Sequence, residues 1–368
     1  MPNRTVRKIN IARLVAVLLI AAVVIGGGIA LVVLLFGNRD TELVTKSLPL
    51  SSEMQYRIKD GTVSYIDNMT LNIYEADSES SRTVALNAAI DGYAVRDDVV
   101  VVFSGGTVHI EGCSEVVLTG TVRDVRMGED YIAVLRTNVQ GSDSIVIFDY
   151  NAQIAGEVLD FSDSKVTNFG FYTDNGRELL WIISVATEQS TPVTTVQMFD
   201  YGAGGTTSYL SPFYDQSVET LYFTDDSIFV VGTQDIVRYA LTGGREKYRV
   251  GIYGYSVLDM AFSGGTATFL LAPKDEQASK QLRFLNLAEG DESLLSWRQF
   301  SFSEDILGAF LQQGMVHIVG TENVYSYSYT GRVSATLPLP EGVTAAYELD
   351  DTYFLLVTEG SMLRAELK

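Results

Sequence analysis

The sequence predicts an all-β fold, because one strand–turn–strand pattern recurs along the chain after an apolar N-terminal segment. In each copy an apolar strand leads into a tight turn of Asp, Gly, Asn or Gln and then into a second apolar strand. The eight copies read YRIKDGTVSYI (56–66), YAVRDDVVVVF (93–103), VRMGEDYIAVL (125–135), FYTDNGRELLWII (171–183), LYFTDDSIFVV (221–231), MAFSGGTATFL (260–270), FLQQGMVHIV (310–319) and YELDDTYFLLV (347–357). The mean step between copies is about 41 residues, a spacing typical of the blades of a β-propeller.

The first element in chain order is an apolar run at residues 14–36, which contains no charged or polar side chain. A helix of this length rises roughly 35 Å, enough to cross a hydrocarbon core of about 30 Å. Four basic residues and no acidic residue precede it. The positive-inside bias therefore predicts a cytoplasmic tail (1–13), a single-pass membrane helix and an extracellular C-terminal part in the cell membrane. The alternative is a cleaved signal peptide, whose apolar region is normally only about 7–15 residues long.

The repeated hairpin is followed by an alternating strand such as LNIYEADSESS (71–81) and generally by a short fourth strand such as RTVAL (82–86). Alternation with a period of two residues marks half-buried antiparallel strands. The repeat is therefore a unit of four strands, A to D in chain order, which is one propeller blade. We predict eight four-stranded blades over residues 53–368, with seven blades and merged end units as the alternative.

The last unit ends after its third strand, because the sequence stops there. An unpaired sheet edge is an aggregation liability. The linker 37–52 contains a plausible short strand at Glu42–Lys46, within TELVTKSLPL (41–50). We expect this strand to supply the missing fourth strand and close the ring; the alternative is that the linker is only a stalk.

The charge of the part after residue 36 excludes several classes of partner. It holds 22 of the 26 basic and all 46 acidic residues, a formal charge of −24. Such a field repels nucleic acid and anionic polymers, so no nucleic-acid partner is expected. Calcium binding by acidic loops remains an alternative, although no D-x-[DN]-x-[DN]-G spacing occurs. The single cysteine, Cys113, excludes an intramolecular disulfide and is expected to be packed or simply tolerated.

The residues that most often carry chemistry do not form a catalytic or metal-binding pattern. His109 and His317 lie in strands of different units, without H-E-x-x-H spacing, and are expected to be packed or surface residues. The doublets Asp97–Asp98, Asp225–Asp226 and Asp350–Asp351 occupy the same A–B turn position, which favours turn formation over a catalytic carboxylate pair. We therefore predict no catalytic, cofactor-binding or metal-binding residue, and no cofactor.

Two further features concern binding surfaces. Tyr325, Tyr327 and Tyr329 place three rings on one strand face, which is expected to pack against the neighbouring blade; a carbohydrate-stacking platform is the alternative. The segments 136–143, 184–195 and 271–280 are predicted to be longer B–C loops. Because B–C and D–A loops lie on one face of a propeller, these segments favour a partner-binding face there.

The phrases IFDYNAQIAG (147–156) and MFDYGAGG (198–205) resemble the outer hairpins of quinoprotein-like propellers, which are built from PQQ-like repeats. The whole chain resembles membrane-anchored β-propeller proteins of Gram-positive bacteria, with a basic tail, one membrane helix and a propeller-like outer part. The resemblance implies fold and placement and carries no active residue to this chain. The docking tryptophans of quinone-dependent dehydrogenases are not visible, since only Trp181 and Trp297 occur. The signatures of sialidases and WD repeats are also missing.

These observations favour a non-enzymatic scaffold or recognition module for an envelope protein or peptide. One alternative is a ligand sensor that is coupled through the membrane helix to a cytoplasmic partner. The other is an envelope carbohydrate-active enzyme, which predicts carboxylates, tyrosine and arginine converging at one mouth of the channel.

Overall fold

The structure, a computed structural model, describes residues 41–156, 159–188, 190–200, 206–210, 212–214, 216–275, 280–288 and 296–368. The predicted cytoplasmic tail 1–13, the membrane helix 14–36 and residues 37–40 of the linker lie outside this part of the chain. The described residues include no helix that is long and apolar enough to cross a membrane.

In the described ranges, 33 strands form eight antiparallel sheets, so the eight-blade prediction is confirmed and the seven-blade alternative is wrong. The first strand, β1 (Leu43–Ser47), belongs to blade 8. Blade 1 consists of β2 (Tyr56–Lys59), β3 (Thr62–Asp67), β4 (Thr70–Glu75) and β5 (Ser80–Ala85), and blade 2 consists of β6 (Gly92–Arg96), β7 (Val99–Ser104), β8 (Thr107–Ile110) and β9 (Val116–Val117). Blade 3 consists of β10 (Thr121–Met127), β11 (Tyr131–Thr137), β12 (Asp143–Asp149) and β13 (Leu159–Phe161), and blade 4 consists of β14 (Lys165–Asp174), β15 (Arg177–Glu188), β16 (Thr191–Asp200), β17 (Thr206–Tyr209) and β18 (Phe213–Tyr214).

The second half of the ring has the same plan. Blade 5 consists of β19 (Val218–Phe223), β20 (Ser227–Gly232), β21 (Asp235–Ala240) and β22 (Glu246–Gly251), and blade 6 consists of β23 (Tyr255–Ser263), β24 (Thr266–Pro273), β25 (Gln281–Ala288) and β26 (Ser296–Ser301). Blade 7 consists of β27 (Ile306–Gln312), β28 (Met315–Gly320), β29 (Asn323–Ser328) and β30 (Val333–Pro338). Blade 8 consists of β31 (Val343–Glu348), β32 (Phe354–Thr358) and β33 (Met362–Leu367), together with β1.

Blade 8 is completed by the N-terminal strand. β1 pairs antiparallel with β33, from Leu43 opposite Leu367 to Ser47 opposite Leu363. The pairing is extended by Glu42 and Lys368, whose backbone groups exchange hydrogen bonds of 2.9 and 3.0 Å. The strand occupies the segment in which the sequence predicts one at Glu42–Lys46. Residues 42–47 are therefore part of the ring.

The A strand of each blade lies innermost and the D strand outermost. The A strands of neighbouring blades contact one another, as β27 does with β31 and β6 with β10. The D strands β5, β22 and β30 alternate between exposed and half-buried residues, as expected for an outer rim. Apolar side chains of the inner strands fill the space between blades; Val101 of blade 2 and Val134 of blade 3 belong to one such buried cluster.

A β-bulge recurs in the A strand of blades 3 to 8, and no local pattern in the sequence predicts it. The register shifts lie between Val122 and Asp124, Val166 and Asn168, Val218 and Thr220, Val257 and Asp259, Ile306 and Gly308, and Val343 and Ala345. In three blades the residue after the shift accepts a hydrogen bond from the next backbone N–H, at 2.7–3.0 Å. A bulge re-aims side chains, and here it does so along the wall of the central channel.

The antiparallel order gives the ring two distinct faces. The A–B and C–D connections lie on one of them, which we call the turn face; the B–C and D–A connections lie on the other, the loop face. All eight predicted A–B turns are present between the A and B strands. Because β1 runs antiparallel to β33, the N-terminal segment enters the ring on the turn face.

The prediction of a long B–C loop at 184–195 is wrong. The segment forms the ends of β15 and β16, which pair from Leu179 opposite Asp200 to Glu188 opposite Thr191. Its valines and threonines are β-branched residues that favour strands, so the inserted residues lengthen the hairpin. The segment 136–143 is also shorter as a loop than predicted, because β11 extends to Thr137 and β12 begins at Asp143.

Candidate functional site

The loop face of blades 3 to 6 exposes large apolar side chains. Val139 lies in the B–C loop of blade 3 and is 77% exposed, and Tyr253 lies between blades 5 and 6 and is 70% exposed. Tyr214 and Leu258 are also exposed, on the D–A connection after blade 4 and near the start of the inner strand of blade 6. These four residues, the loop-face apolar set, lie on four consecutive blades or the connections between them.

The lengthened hairpin of blade 4 stands next to this set and is held by further pairing. β18 pairs with β16 through Val193 opposite Tyr214 and Thr194 opposite Phe213. The Thr194 hydroxyl donates to the backbone carbonyl of Gln216 at 2.9 Å. The hydrogen bonds fix the backbone that carries Tyr214, so an exposed aromatic side chain projects from a well-supported element.

The turn face has the opposite character, because acidic turn residues dominate it. Asp97 has a side chain that is 87% exposed, and its φ of 48° is one that Asp tolerates better than most residues. Asp350 accepts hydrogen bonds from the N–H groups of Thr352 and Tyr353, at 2.7 and 2.8 Å. Asp226 forms ion pairs with Arg238 and Lys247. The acidic doublets are therefore placed in turns and local ion pairs, on different blades.

Two acidic side chains on the channel wall were not singled out from the sequence. Asp259, on β23, and Glu348, on β31, both line a cavity of about 440 Å³ along the inner strands of blades 6, 7 and 8. Asp259 accepts a hydrogen bond of 2.7 Å from the backbone N–H of Leu311, in the next blade. Burial raises the pKa of the Tyr222 and Tyr329 hydroxyls, and the two carboxylates raise it further.

The electrostatics of this wall favour a protonated carboxyl group. Burial, with repulsion from Asp259, Asp351 and Asp350, raises the pKa of Glu348 to about 8. Burial also raises the pKa of Asp259, against two backbone hydrogen bonds that lower it. Glu348 therefore carries a proton for much of the time at neutral pH. The signal in the sequence is a carboxylate inside an otherwise apolar A strand, as in VLDMAF and AAYELD.

The histidines and the cysteine occupy separate places in the fold. His317 is buried, with its Nδ1 3.0 Å from the Ser326 hydroxyl, and burial lowers its pKa to about 4. His109 is half-buried on blade 2, and its Nδ1 is buried without a hydrogen-bond partner. Cys113 is half-buried with its Sγ 3.4 Å from the carbonyl oxygen of Tyr150. In the described part of the chain, the search for three or more His, Cys, Asp or Glu side chains placed to hold a metal ion finds no such group.

The tyrosine run of blade 7 packs against blade 6. The ring of Tyr327 lies 4.9 Å from that of Phe300, and the ring of Tyr325 lies 5.4 Å from that of Phe302. Tyr329 is packed against the same cluster. The three half-buried rings thus pack at the interface between blades 6 and 7, as expected from the sequence.

Comparisons with known proteins identify the fold and nothing finer. No protein-family model matches the chain, and no curated protein matches it. Among solved structures, the WD40 domain of SCAP from fission yeast superposes with a TM-score of 0.59 at 9% identity, covering 88% of this chain and 98% of that one. BamB from Moraxella catarrhalis, a propeller of PQQ-like repeats, superposes with a TM-score of 0.56 at 11% identity, covering 89% and 99%. NirN, a dihydro-heme d1 dehydrogenase, superposes with a TM-score of 0.57 at 11% identity, covering 89% and 76%. At such low identity the chain shares a β-propeller fold with these proteins, and function has to be argued from its own residues.

Proposed function

We propose that the protein is a membrane-anchored, extracellular propeller that acts as a non-enzymatic recognition module for an envelope protein or peptide. The partner binds to the loop face. The observation that carries the proposal is the loop-face apolar set, with Val139 and Tyr253 among the most exposed apolar residues of the described chain. Exposed apolar patches mark interaction sites, and aromatic residues are enriched at the centres of interfaces.

The direction in which the chain enters the ring supports this use of the loop face. The N-terminal segment joins blade 8 on the turn face, at β1. A membrane helix at residues 14–36 places the turn face toward the bilayer and leaves the loop face accessible. The acidic side chains of the turn face are repelled by anionic lipid, which keeps the ring from lying flat on the membrane.

Site-specific photo-crosslinking in cells tests the proposal. A photoreactive phenylalanine analogue replaces Tyr253 in the full-length protein, and in a second variant it replaces Tyr214. The matched control places it at Val117, which is also 77% exposed but lies on the outer rim, in β9. We expect one envelope protein or peptide to be crosslinked from positions 253 and 214 and not from 117.

A second pair of variants measures the energetic weight of the face. Tyr214→Ser and Tyr253→Ser should each reduce capture of that partner by roughly tenfold, since exposed aromatic anchors often dominate binding. Val117→Ser should leave capture unchanged. Equal crosslinking from all three positions, or full capture by both tyrosine variants, contradicts the proposal.

The anchor and the orientation have their own test. A C-terminal tag on the full-length protein should be digested when intact, wall-stripped cells are treated with protease. A protected tag contradicts the orientation, and a freely secreted mature form contradicts the anchor.

One observation favours a second candidate function, that of a carbohydrate-active enzyme. A general acid near neutral pH needs a carboxyl group with a raised pKa, and Glu348 beside Asp259 has this property. Turnover of envelope glycans by the full-length protein that is abolished by Glu348→Gln supports the enzyme. Without turnover, the channel carboxyls have no catalytic role on these substrates.

A further inference from the structure

A second cavity lies on the channel wall, and most of its charged side chains are basic. It has a volume of about 570 Å³ and follows the inner strands of blades 1, 2 and 3. Three of its lining residues, Arg57, Lys59 and Arg126, are cationic, and only Asp124 is acidic. Its volume falls within the range of small-molecule sites, roughly 300–1,000 Å³.

The two arginines of the cavity are held by different means. Arg57 donates from Nη1 to the carbonyl oxygen of Tyr93 at 2.6 Å, and its guanidinium lies 4.6 Å from the centre of the Tyr93 ring. The Nη2 of Arg126 lies 2.9 Å from the Oδ2 of Asp124. The Nε of Arg126 is buried and has no hydrogen-bond partner. The Arg126 side chain as a whole is 41% exposed, so the guanidinium N–H groups that do not face Asp124 can meet an acceptor in the cavity.

Lys59 extends the positive charge toward the turn face. Its Nζ has a carboxylate neighbour in Asp60 at 3.8 Å, a distance beyond hydrogen bonding, and the Asp60 side chain is mainly exposed. Burial lowers the pKa of the Lys59 ammonium; the negative charge of Asp60 raises it, the positive charges of Arg126 and Arg96 lower it, and Asp124 raises it. The nearest carboxylate of Arg96 is the exposed Asp97, 3.6 Å away. Lys59, Arg96 and Arg126 thus lie close enough for their positive charges to interact.

This concentration of positive charge contrasts with the formal charge of −24 on the part after residue 36. We infer that the cavity of blades 1 to 3 binds a small anion that carries two or more carboxylate or phosphate groups. The exposed guanidinium N–H groups of Arg126 and the ammonium of Lys59 donate charge-assisted hydrogen bonds to it. Arg57, fixed by Tyr93, and Arg96 add positive potential without having to move.

The site is separate from the loop-face apolar set, and the inference goes beyond the proposed recognition of an envelope partner. The acidic surface around the ring works against large polyanions, whose charge extends beyond the cavity. A small anion places all its charge inside the basic cavity. The structure therefore selects for ligand size as well as for charge.

Calorimetric titration of the purified full-length protein tests the inference, with citrate as the carboxylate probe and pyrophosphate as the phosphate probe. Acetate, with one charge, and sodium chloride at matched ionic strength are the controls. We expect saturable binding of citrate, pyrophosphate or both at one site, and none of acetate. Lys59→Gln and Arg126→Gln should each weaken binding by roughly tenfold or more, the usual loss for a charge-assisted hydrogen bond.

Arg245→Gln is the matched control, because it removes one cation from the exposed C–D turn of blade 5 and should leave the affinity unchanged. Lys59→Arg keeps the positive charge and should retain most of the binding. If Arg126→Gln does not fold, the comparison of Lys59→Arg with Lys59→Gln still tests whether the charge is needed for binding. Tyr253→Ser should not affect anion binding, so this inference and the loop-face proposal can fail independently. The absence of saturable binding with both probes, or wild-type affinity in both Gln variants, overturns the inference.

Discussion

At the scale of single residues, the position of a carboxylate within the blade decides what it does. In the A–B turns, Asp97 satisfies a positive φ and Asp350 accepts backbone N–H groups. On the inner strands, Asp259 bridges to the next blade and Glu348 faces like charges across the wall of the cavity. A carboxylate in the A–B turn therefore stabilises the turn, whereas a carboxyl group on the inner strand a few residues earlier has a shifted pKa.

Glu348 makes the stability of the ring depend on pH. Its pKa is raised from 4.5 to about 8 in the folded protein, so the folded state binds more protons than the unfolded state between these values. Stability should accordingly fall as the pH rises from about 5 to 8, by roughly 1–3 kcal/mol after allowance for solvent screening. Glu348→Gln should flatten this decline in chemical denaturation experiments. An equally steep decline in the variant would show that another group is responsible.

His317 acts at the acidic end of the pH range and in the opposite direction. Burial lowers its pKa from 6.5 to about 4, so the unfolded chain takes up a proton at a pH where the folded protein does not. Stability is present above pH 6.5 and should be lost as the pH falls toward 4. His317→Gln should reduce this loss, whereas His109→Gln, at a half-buried position, serves as the comparison. Denaturation midpoints measured across this range check the prediction.

Gly308 marks a point where two inner strands approach too closely for a side chain. A Cβ at this position, directly after the bulge of blade 7, would overlap the carbonyl oxygen of Ala346 in blade 8. Gly308→Ala should therefore destabilise the protein by roughly 1–3 kcal/mol, the usual effect of overpacking. Thr220→Ala places the same residue after the bulge of blade 5 and should change stability much less. Equal melting temperatures for the two variants would argue against the close contact.

At the scale of the element, the ring depends on one strand that is remote in sequence. β1 covers the edge of β33, and Leu48 and Leu50, which follow it, are buried in the cluster that contains Val63 of blade 1 and Leu355 of blade 8. The segment therefore contributes backbone pairing through β1 and apolar burial through the two leucines.

Three N-terminal truncations separate these contributions. Relative to a protein that starts at residue 39, a start at 48 removes β1 with its pairing and the packing of Leu43, and a start at 53 also removes both buried leucines. We expect stepwise losses of stability, with roughly 2–5 kcal/mol for each buried leucine and increased aggregation once the edge is open. Thermal melting and light scattering provide the measurement. If all three forms melt alike, the segment does not stabilise the ring.

At the scale of the whole molecule, the surplus of acidic residues opposes the compact state. The part after residue 36 has a formal charge of −24, and the A–B turns of blades 1 to 5 and of blade 8 place acidic residues on the turn face. Like charges held together in this way repel one another, and salt screens the repulsion.

We therefore expect the melting temperature to rise by several degrees when sodium chloride increases from about 0.01 to 0.5 M. Asp97→Asn combined with Asp98→Asn should make the rise smaller, because it removes two charges from one turn. Sucrose, which is uncharged, should not distinguish the variant from the wild type. A salt response that is identical in both proteins would place the repulsion elsewhere.

The sequence by itself determined the blade, because both of its signals are local. Alternation along LNIYEADSESS and the turn residues of YRIKDGTVSYI depend only on neighbours in the chain, so eight turns and four strands per unit could be read directly. The unfinished last unit even indicated that a strand from elsewhere was needed. The prediction of a loop at 184–195 is wrong, because polar β-branched residues resemble a loop when the strand that they pair with is not known.

Only the tertiary structure decided which blades stand side by side and what their inner strands enclose. Asp259 and Glu348 are 89 residues apart in the sequence, and Lys59 and Arg126 are 67 apart, so no local pattern brings either pair together. Closure of the ring does so, because it directs every A strand to the same channel, and the recurrent bulge then re-aims the side chains along its wall. The proximity of like charges and the burial that shift their pKa values arise in that step, and they depend on the whole ring.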